Sequence, residues 1–395
     1  MEPILTRLAG PERCMIPRTL FSDEHEMYRD LVRKFIAAQI TPHHGAWEQA
    51  GVVPRELWPK AGAAGLLCPN VPEAYGGPGA NFLYNVILAE EMGRAGATGP
   101  GFTVHSDMVA SYILSFGTEA QKKQWLPRMV SGELIGALGL TEPGGGSDLK
   151  AMRTRAERVD DEYLINGQKT YISNGQLCDL LVLACKTDPS AGAKGVSLIV
   201  VETHRKGFER GRRLEKLGLK AQDTSEMFFN NLRVPVSNRL GAEGMGFKMA
   251  MHKLAQERLI IAVNAVAVCE SVLDYTVAYT RERKAFGKAI AEFQNTRFKI
   301  AELTAQVQSA RVFVDRCIEL ALDDKFDSTD AAMLKLVATE LQCRVVDECL
   351  QFFGGYGYML EYPIAHAYID TRIRRIAGGS SEVMREIISR KIFRD

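Results

Sequence analysis

One glutamate in a strongly apolar helical segment is the first candidate for chemistry in this sequence. Glu257, in the run LAQERLIIA, has Leu254, Ile260 and Ile261 three or four residues away, so on a helix its carboxylate points along a largely apolar stripe. Burial raises the pKa of a carboxyl group and suits it to accept a proton near neutral pH. An ion pair with Lys253 or with a residue of another helix is the simpler alternative, and the segment taken alone favours such an ion pair.

A second candidate lies where two glycines and two serines enter a predicted helix near the end of the chain. The segment IRRIAGGSSEV spans residues 373–383, and the helix reads SEVMREIISRKI. Free backbone N–H groups at a helix N-terminus can bind an anion, and two arginines stand just upstream. The segment has no acid or base of its own before the helix. It is therefore either a plain N-cap or half of a site whose reactive residue lies elsewhere.

Two loops in the middle of the chain carry hydroxyl and aromatic side chains that could meet a ligand. GLTEPGGGSD offers Thr141 and Ser147 beside three glycines, which would let the backbone approach a ligand closely. In KTYISNG, Tyr171 and Ser173 alternate with Ile172 and share one face of a strand, where they could stack on and hydrogen-bond a planar cofactor. A flexible turn and solvent-facing strand positions are the plain alternatives.

Two helix ends in the last third of the chain combine glycine with aromatic or basic residues. RERKAFGK follows one predicted helix with Phe286 and Gly287, and QFFGGYGY follows another with Gly354 and Gly355. Basic residues complement a helix C-terminus and glycines form C-caps, which are the ordinary interpretations. An aromatic ring or free N–H groups at these ends could instead hold an adenine or a phosphate.

Three blocks of different periodicity must position these candidates. Residues 21–133 predict a helical domain that follows a flexible lead over residues 1–20. Residues 134–242 contain short runs rich in branched and aromatic residues, with no helix-length pattern between them, which indicates a β-sandwich or barrel. Residues 243–395 predict long helices joined by short links, as in an antiparallel bundle.

Two local patterns make these predictions more specific. Met27, Leu31 and Phe35 fall on one face of the first helix, as in an amphipathic helix. Asn166-Gly167 stands between two strand-like runs and is a strong hairpin signal.

Composition limits the class of protein. The 395 residues are 46% hydrophobic and 25% charged with a net charge of +1, so a globular protein that binds neither nucleic acid nor an anionic membrane surface is expected. Eight scattered cysteines show no metal-ligand spacing and indicate a reducing compartment. No apolar run approaches about 18 residues, which predicts no membrane span. The first residues make a poor transit peptide, so a cytoplasmic location is expected rather than the mitochondrial matrix.

The order and spacing of these motifs resemble the acyl-CoA dehydrogenase family of flavoproteins over nearly the whole chain, from about Phe21 to Arg394. TEPGGGSD, YISNG, RERKAFGK, QFFGGYGYMLEYPI and GGSSEVMREII carry the resemblance, and KAQDT and QERL add a match to the long-chain branch. The resemblance implies a mainly helical α+β fold with an N-terminal helical domain, a middle antiparallel β domain and a C-terminal four-helix bundle. It also implies FAD, held non-covalently between the β domain and the bundle, and a role in fatty acid β-oxidation.

The resemblance assigns site residues position by position. On the β domain it implies FAD contacts at Leu138, Leu140, Thr141, Tyr171 and Ser173. Many members have Trp and Thr at the last two of these positions, so the stacking surface here is smaller. On the bundle it implies contacts to the FAD of a partner subunit at Arg283, Phe286, Gln294, Gln351, Gly354 and Gly355. At the start of the last helix it implies FAD contacts at Ser380, Ser381 and Glu382. Acyl-CoA contacts are implied at Ser147, Ala255, Gln256, Arg258, Gly378 and Gly379.

The position of the catalytic base departs from the commoner family pattern. Many members place the base in the turn before the last helix, as YEGT, where this chain has Gly378 in AGGS. In the long-chain and isovaleryl branches the base lies on the bundle helix, and Glu257 in QERL matches it. The resemblance thus implies that Glu257 removes the α-proton of an acyl-CoA thioester while the β-hydrogen leaves as hydride to flavin N5. The Gly378 N–H and the FAD ribityl 2′-hydroxyl would stabilise the thioester oxygen.

The resemblance also implies partners and leaves alternatives. The family is usually a homotetramer built as a dimer of dimers, and an electron-transfer flavoprotein would accept the electrons. Ala377 and Gly378 leave room where other members have bulk, so a long or branched acyl group is expected. An acyl-CoA oxidase or flavin monooxygenase on the same fold, and a non-catalytic acyl-CoA-binding member, are the alternatives. The presence of Glu257 argues against the non-catalytic one.

Overall fold

Helices, strands and then helices again follow one another along residues 16–393, the part of the chain that this computed structural model describes. The predicted order of a helical domain, a β domain and a helical bundle is confirmed. Of the lead predicted over residues 1–20, residues 1–15 lie outside the described part. Within that part, Arg18 binds Asp315 of the bundle at 2.7 Å.

The N-terminal domain is built from short helices. Within the described residues they are α1 (Asp23–Phe35), α2 (His44–Ala50), α3 (Leu57–Ala63), α4 (Phe82–Arg94), α5 (Ser111–Phe116) and α6 (Glu119–Val130). Two π-helical segments, Ile36–Ile40 and Val104–Ala110, continue α1 and lead into α5. The second of these packs against the first strand of the sheet, so this domain and the β domain share one hydrophobic core.

Helix α1 buries Arg29 and Val32 rather than the predicted face of Met27 and Leu31. Met27 and Leu31 are 73% and 41% exposed, whereas Arg29 is buried. The Arg29 guanidinium donates hydrogen bonds to Glu90 and Glu91 of α4 at 2.9 and 2.8 Å. A buried charged group is stable only when it is paired. These two carboxylates therefore orient α1, and helical periodicity alone selects the wrong face.

The middle domain is an eight-stranded sheet. Its strands are β1 (Gly136–Gly139), β2 (Arg155–Val159), β3 (Glu162–Ser173), β4 (Leu180–Lys186), β5 (Val196–Glu202), β6 (Phe208–Arg213), β7 (Thr224–Pro235) and β8 (Arg239–Leu240). The order is β6-β7-β3-β2-β4-β5-β8, and β1 lies beside β4. Most neighbours are antiparallel, but β1 and β2 pair with β4 in parallel. The sheet is therefore mixed, and the predicted antiparallel pairing does not hold where β4 meets β1 and β2.

The hairpin predicted at Asn166-Gly167 is also wrong. Strand β3 continues through both residues, and its pairing with β7 shifts register just before Gly167. The chain reverses instead at Asp160 and Asp161, between β2 and β3. A Cβ on Gly167 would lie 2.6 Å from Thr154 Oγ1, so this glycine allows close approach at a β-bulge.

The C-terminal domain is a bundle of long helices. Its helices are α7 (Gly246–Glu282), α8 (Gln294–Leu322), α9 (Ser328–Gln351), α10 (Pro363–Thr371) and α11 (Ser381–Ile392). Two short strands, β9 (Lys284–Ala285) and β10 (Lys288–Ala289), form a hairpin between α7 and α8. Helix α7 packs against α8, α9 and α4, which places it between the bundle and the N-terminal domain.

Helix α7 is long and apolar enough to cross a membrane by length and composition, which corrects the expectation that no such run exists. Its most apolar 18-residue window is 67% buried inside the protein. A core helix of this kind meets the same criteria, and here the apolar residues pack on α8, α9 and α4. Among residues 16–393 the cysteines are free, and all except Cys343 are buried.

Candidate active site

Glu257 lies on α7 with its side chain buried inside the protein. It is 4% exposed, and burial raises the pKa of its carboxyl group to about 7. The Tyr112 hydroxyl on α5 donates a hydrogen bond to Glu257 Oε1 at 3.3 Å. Within residues 16–393 Glu257 forms no ion pair, so the alternative of a pair with Lys253 is wrong. The geometry is that of a carboxylate held ready to accept a proton near neutral pH.

A π-helical segment sets the direction of Tyr112. The segment Val104–Ala110 changes the helical phase directly before α5, so that Tyr112 faces α7. The same segment buries Asp107, which accepts a hydrogen bond from Asn85 Nδ2 at 2.6 Å. Burial, together with the negative charge of Glu257, raises the pKa of Asp107 to about 7. A second buried carboxyl group is therefore coupled electrostatically to Glu257.

The AGGS turn is held next to Glu257 by Arg258, the residue that follows Glu257 in sequence. Arg258 Nε donates to the Gly378 carbonyl at 3.1 Å. Gly378 and Gly379 have φ angles of 69° and 98°, a region that glycine adopts without strain. A Cβ on Gly378 would lie 2.7 Å from Cδ1 of Ile261, which is one helical turn beyond Glu257. Sequence reasoning placed Glu257, Arg258 and this turn in one site, and these contacts bring them together.

The serines after the turn form the N-terminus of α11. Ser380 is the N-cap, and its hydroxyl accepts a hydrogen bond from the Val383 N–H at 3.4 Å. Ser381 is buried and donates to Glu340 Oε1 on α9 at 2.6 Å. Glu382 is exposed in the first turn of the helix. The segment is therefore both an ordinary N-cap and a neighbour of the buried carboxylate.

On the β domain, a buried ion pair holds the glycine-rich loop against β3. Lys169 Nζ lies 2.8 Å from Glu142 Oε1 and 3.1 Å from the Leu140 carbonyl. The Thr170 N–H donates to the Thr141 carbonyl at 3.0 Å. These bonds fix Leu140 and Thr141 beside the strand that carries the predicted aromatic contact. Leu138 precedes them on β1, and Ser147 is exposed further along the loop.

Tyr171 projects from β3 because of a break in the strand. The pairing with β7 shifts register between Lys169 and Ile172, and Tyr171 has a φ of 60° and is 68% exposed. The side chain of Tyr171 is therefore exposed because the strand is irregular here, and not because of the regular alternation of a β-strand. A bulky residue in the left-handed region is rare, and such conformations cluster at ligand sites. The exposed ring is a candidate for stacking on a planar ligand.

A third group of predicted residues lies at the ends of the bundle helices. Arg283, Gly354 and Gly355 line one cavity of about 550 Å³. A Cβ on either glycine would meet nothing within 4 Å, so local packing does not require glycine and the backbone stays open. Phe286 is 97% exposed.

Other predicted residues flank these groups. Gln294 begins α8 and Gln351 ends α9, and both are exposed. Ala255 and Gln256 are half-buried on α7 directly before Glu257. The cavity that Arg283 lines is formed by residues of α7 and of the segments that follow α7 and α9, and none of its lining residues among those described belongs to the turn or to the β domain.

Sequence reasoning missed three contributors to the site. Tyr112 left no signal, since the π-helical segment before it breaks the helical period. The Lys169–Glu142 pair joins two segments whose contact is not visible in either one alone. Lys335 on α9 is fully buried and donates to the Gly379 carbonyl at 2.7 Å. Its position in the apolar run AAMLKLVATEL was a usable signal.

The residues that are present fit FAD. An exposed aromatic ring at Tyr171 suits a flavin plane, and the Arg283 cation with open glycine backbone at Gly354 and Gly355 suits a pyrophosphate. The N-terminus of α11 at Ser381 adds free N–H donors. Among the described residues, no group of three or more histidine, cysteine, aspartate or glutamate side chains could hold a metal ion.

Comparisons with known proteins agree with this arrangement. The N-terminal, middle and C-terminal domain models of acyl-CoA dehydrogenase match residues 22–133, 137–232 and 244–393. Rat (Rattus norvegicus) mitochondrial long-chain specific acyl-CoA dehydrogenase is 46% identical over 96% of this chain and 88% of its own length. An acyl-CoA dehydrogenase structure from Geobacillus kaustophilus has a TM-score of 0.94 and 46% identity, covering 96% of this chain and 100% of that one. Glutaryl-CoA dehydrogenase from Mycobacterium smegmatis in complex with FADH2 is 28% identical with a TM-score of 0.88, covering 95% of each chain. The chain therefore belongs to the acyl-CoA dehydrogenase family, whose members are FAD-dependent enzymes.

Proposed function

We propose that this protein removes one hydrogen from each of the α- and β-carbons of an acyl-CoA thioester to form the trans-2-enoyl-CoA. The observation that carries the proposal is Glu257, a buried carboxyl group whose pKa burial raises to about 7, tied through Arg258 to the glycine turn. An α-proton next to a thioester is weakly acidic, so its removal needs a base with a matched pKa and a donor to the carbonyl oxygen. Glu257 is the base and the Gly378 N–H is the donor.

The remaining residues bind and orient. Tyr112 holds the Glu257 carboxylate by its hydrogen bond, and Arg258 holds the turn that carries the Gly378 N–H. Acyl-CoA contacts fall to Ser147, Ala255, Gln256, Arg258, Gly378 and Gly379. FAD, when bound, supplies the acceptor for the hydrogen that leaves the β-carbon. Tyr171, Ser173, Leu138, Leu140 and Thr141 would hold it from the β domain, with Ser380, Ser381 and Glu382 at the bundle.

The proposed substrate is a long or branched acyl-CoA. Small residues at Ala377 and Gly378 leave the turn without side-chain bulk, and Glu257 takes the place of the acid that the commoner pattern has at position 378. The 46% identity to a long-chain specific enzyme supports the same substrate class.

The proposed assembly is a homotetramer built as a dimer of dimers. The exposed Phe286, and Arg283 beside open glycines, are groups that one chain leaves uncovered and a second subunit would use. Removing two hydrogens requires an electron acceptor, and we propose an electron-transfer flavoprotein. The cytoplasmic location stays a prediction from sequence.

Anaerobic titration with acyl-CoAs of graded length and branching tests this function. We expect the absorbance of bound FAD near 450 nm to bleach, and the matching 2-enoyl-CoA to form, most completely with a long or branched chain. A protein that binds acyl-CoA without bleaching or product would contradict the proposal. Rapid oxygen consumption with no acceptor protein would identify an oxidase or monooxygenase instead.

Tyr112→Phe is expected to move the pH midpoint of kcat/KM upward by about one unit. The hydroxyl stabilises the charged form of Glu257, and a hydrogen bond to a charged group contributes about 1.5–3 kcal/mol. Because a shift of one pKa unit corresponds to about 1.4 kcal/mol, losing this bond should raise the pKa of Glu257 by about one unit. The measurement is the pH profile of kcat/KM for both proteins. Tyr75→Phe removes a hydroxyl that donates to exposed Glu119 and is the matched control, with an unchanged profile. A midpoint that stays or falls in Tyr112→Phe would show that the hydrogen bond does not control the base.

A further inference from the structure

Two buried cations on different helices hold consecutive carbonyl groups of the glycine turn. Arg258 of α7 donates to the Gly378 carbonyl at 3.1 Å, and Lys335 of α9 donates to the Gly379 carbonyl at 2.7 Å. Both glycines have positive φ angles, and glycine has more backbone freedom than other residues, so side chains from outside the turn are needed to hold it in one conformation. The cations provide the missing constraint from two sides.

Lys335 is buried in a way that ordinary packing does not explain. Its side chain is 0% exposed in an apolar part of α9, between Ala331 and Ala338. Among residues 16–393 it forms no ion pair, and its hydrogen bond goes to the Gly379 carbonyl. Burying an ammonium group without a carboxylate partner is strongly unfavourable, because the loss of hydration is not offset by an ion pair. A methionine would fill the same space without that cost.

The charges around Lys335 make its ammonium group still less stable. Burial, together with the positive charges of Arg258 and Arg374, lowers the pKa of Lys335 to about 8. Glu340 and Glu382 act in the opposite direction, but neither forms an ion pair with it. The fold keeps a destabilised cation at this turn, which is a pattern typical of functional sites.

Fixing these carbonyls also fixes the direction of amide groups. In a trans peptide the C=O and N–H bonds point in opposite directions, so a carbonyl held by a buried cation turns the N–H of the next residue away from that cation. Arg258 sets the Gly379 N–H and Lys335 sets the Ser380 N–H in this way, and the Gly378 N–H lies one peptide plane before them in the same turn. Within the described part of the chain, the Gly378 and Gly379 amides have no acceptor. These donors remain free for a ligand beside Glu257.

We propose that Lys335 is a positioning residue that, together with Arg258, clamps the glycine turn so that its free amides face the substrate thioester. The proposal rests on the proposed function, since it assigns the ligand of those amides as the thioester oxygen. Lys335 touches the turn and not the substrate. It acts by keeping the donors aligned when negative charge develops on that oxygen. The positive charge of Lys335 also stabilises this negative charge.

Lys335→Met is the variant that tests the clamp. The probe is a long-chain acyl-CoA with two methyl groups on the β-carbon, which has α-protons but no β-hydrogen to lose. Exchange of its α-protons in D2O, followed by NMR, reports proton removal without any later step. We expect the exchange rate at saturating probe to fall by about 10–100-fold, somewhat less than the loss on removing one oxyanion donor outright. The Kd of the probe and the FAD content should change little, and the Tm should not fall, because the variant removes a buried unpaired charge.

Controls separate this inference from the proposed function. Lys325→Met replaces an exposed lysine of the same domain and should exchange protons at the wild-type rate. Wild-type protein must exchange the α-protons and Glu257→Gln must not, otherwise the proposed function itself fails. Wild-type exchange in a folded Lys335→Met protein would overturn the clamp alone. If Lys335→Met does not fold, Lys335→Gln, which keeps a donor without the charge, is measured against Lys335→Arg. Slower α-proton exchange in Lys335→Gln than in Lys335→Arg supports the clamp. Exchange at the wild-type rate in both variants overturns it.

Discussion

Glu257→Gln is expected to lower kcat for acyl-CoA dehydrogenation by about 10²–10⁴-fold or more, the range for loss of a general base. Glutamine fills the same volume and can still accept the Tyr112 hydrogen bond, but it cannot take a proton. The measurement is steady-state turnover together with α-proton exchange in D2O. Glu319→Gln, on an exposed part of α8, is the control and should keep wild-type activity. A Glu257→Gln protein that still exchanges α-protons would place the base elsewhere.

The same substitution should stabilise the protein above neutral pH. Burial raises the pKa of Glu257 from 4.5 to about 7, so the native state binds its proton more tightly than the unfolded chain does. The contribution of this proton to the free energy of unfolding is complete below pH 4.5 and is lost as the pH rises through about 7. At pH 8 the loss amounts to about 3 kcal/mol. Urea unfolding at pH 8 should therefore show the variant to be more stable, with the difference disappearing near pH 4. Equal stability at pH 8 would contradict the raised pKa.

Glu90→Gln is expected to destabilise the fold by about 3–5 kcal/mol, the cost of breaking a buried ion pair by removing one partner. Glu90 is 0% exposed and accepts hydrogen bonds from three arginines. Arg29 and Arg311 donate at 2.9 and 2.8 Å, and Arg18 donates at 3.1 Å. Burial by itself would raise the pKa of Glu90, but the charges of Arg18, Arg311 and Arg29 hold it well below its usual range. Glutamine leaves three buried guanidinium groups with less negative charge.

Urea unfolding at pH 7 measures the effect of Glu90→Gln. Glu302→Gln, which removes an exposed carboxylate paired with Arg344 on the bundle surface, is the control and should change stability by less than about 1 kcal/mol. Because the arginines come from the segment before α1, from α1 and from α8, the variant should loosen the contact between the N-terminal domain and the bundle. A loss no larger than that of the control would show that the network contributes little net stability.

Much of the fold could be predicted from local pattern. The runs that read as long helices in the last block form α7, α8 and α9, because helical period and apolar composition persist over many turns there. Most of the branched and aromatic runs of the middle block form strands. The prediction of a turn at Asn166-Gly167 is wrong because Asn-Gly also suits a β-bulge. Only the pairing of β3 with β7 distinguishes the two structures.

The candidate site divides in the same way. Glu257 stands out in sequence because a carboxylate in an apolar helix is unusual, and the glycine turn stands out by composition. Tyr112 and the Lys169–Glu142 pair did not, since each depends on a contact between distant segments. The sequence alone could not separate an ion pair with Lys253 from a buried base. That question depended on which groups surround the carboxylate after folding.

The sequence by itself determined the order of the three domains, the identity of the base candidate and the family to which the chain is similar. These follow from residue types and from contacts three or four positions apart, which a linear pattern records. The tertiary structure decided which face of α1 is buried, where β3 bulges, and which cations hold the glycine turn. Those outcomes depend on pairing a buried charge or strand with a partner tens to hundreds of residues away, and no local period reports that partner.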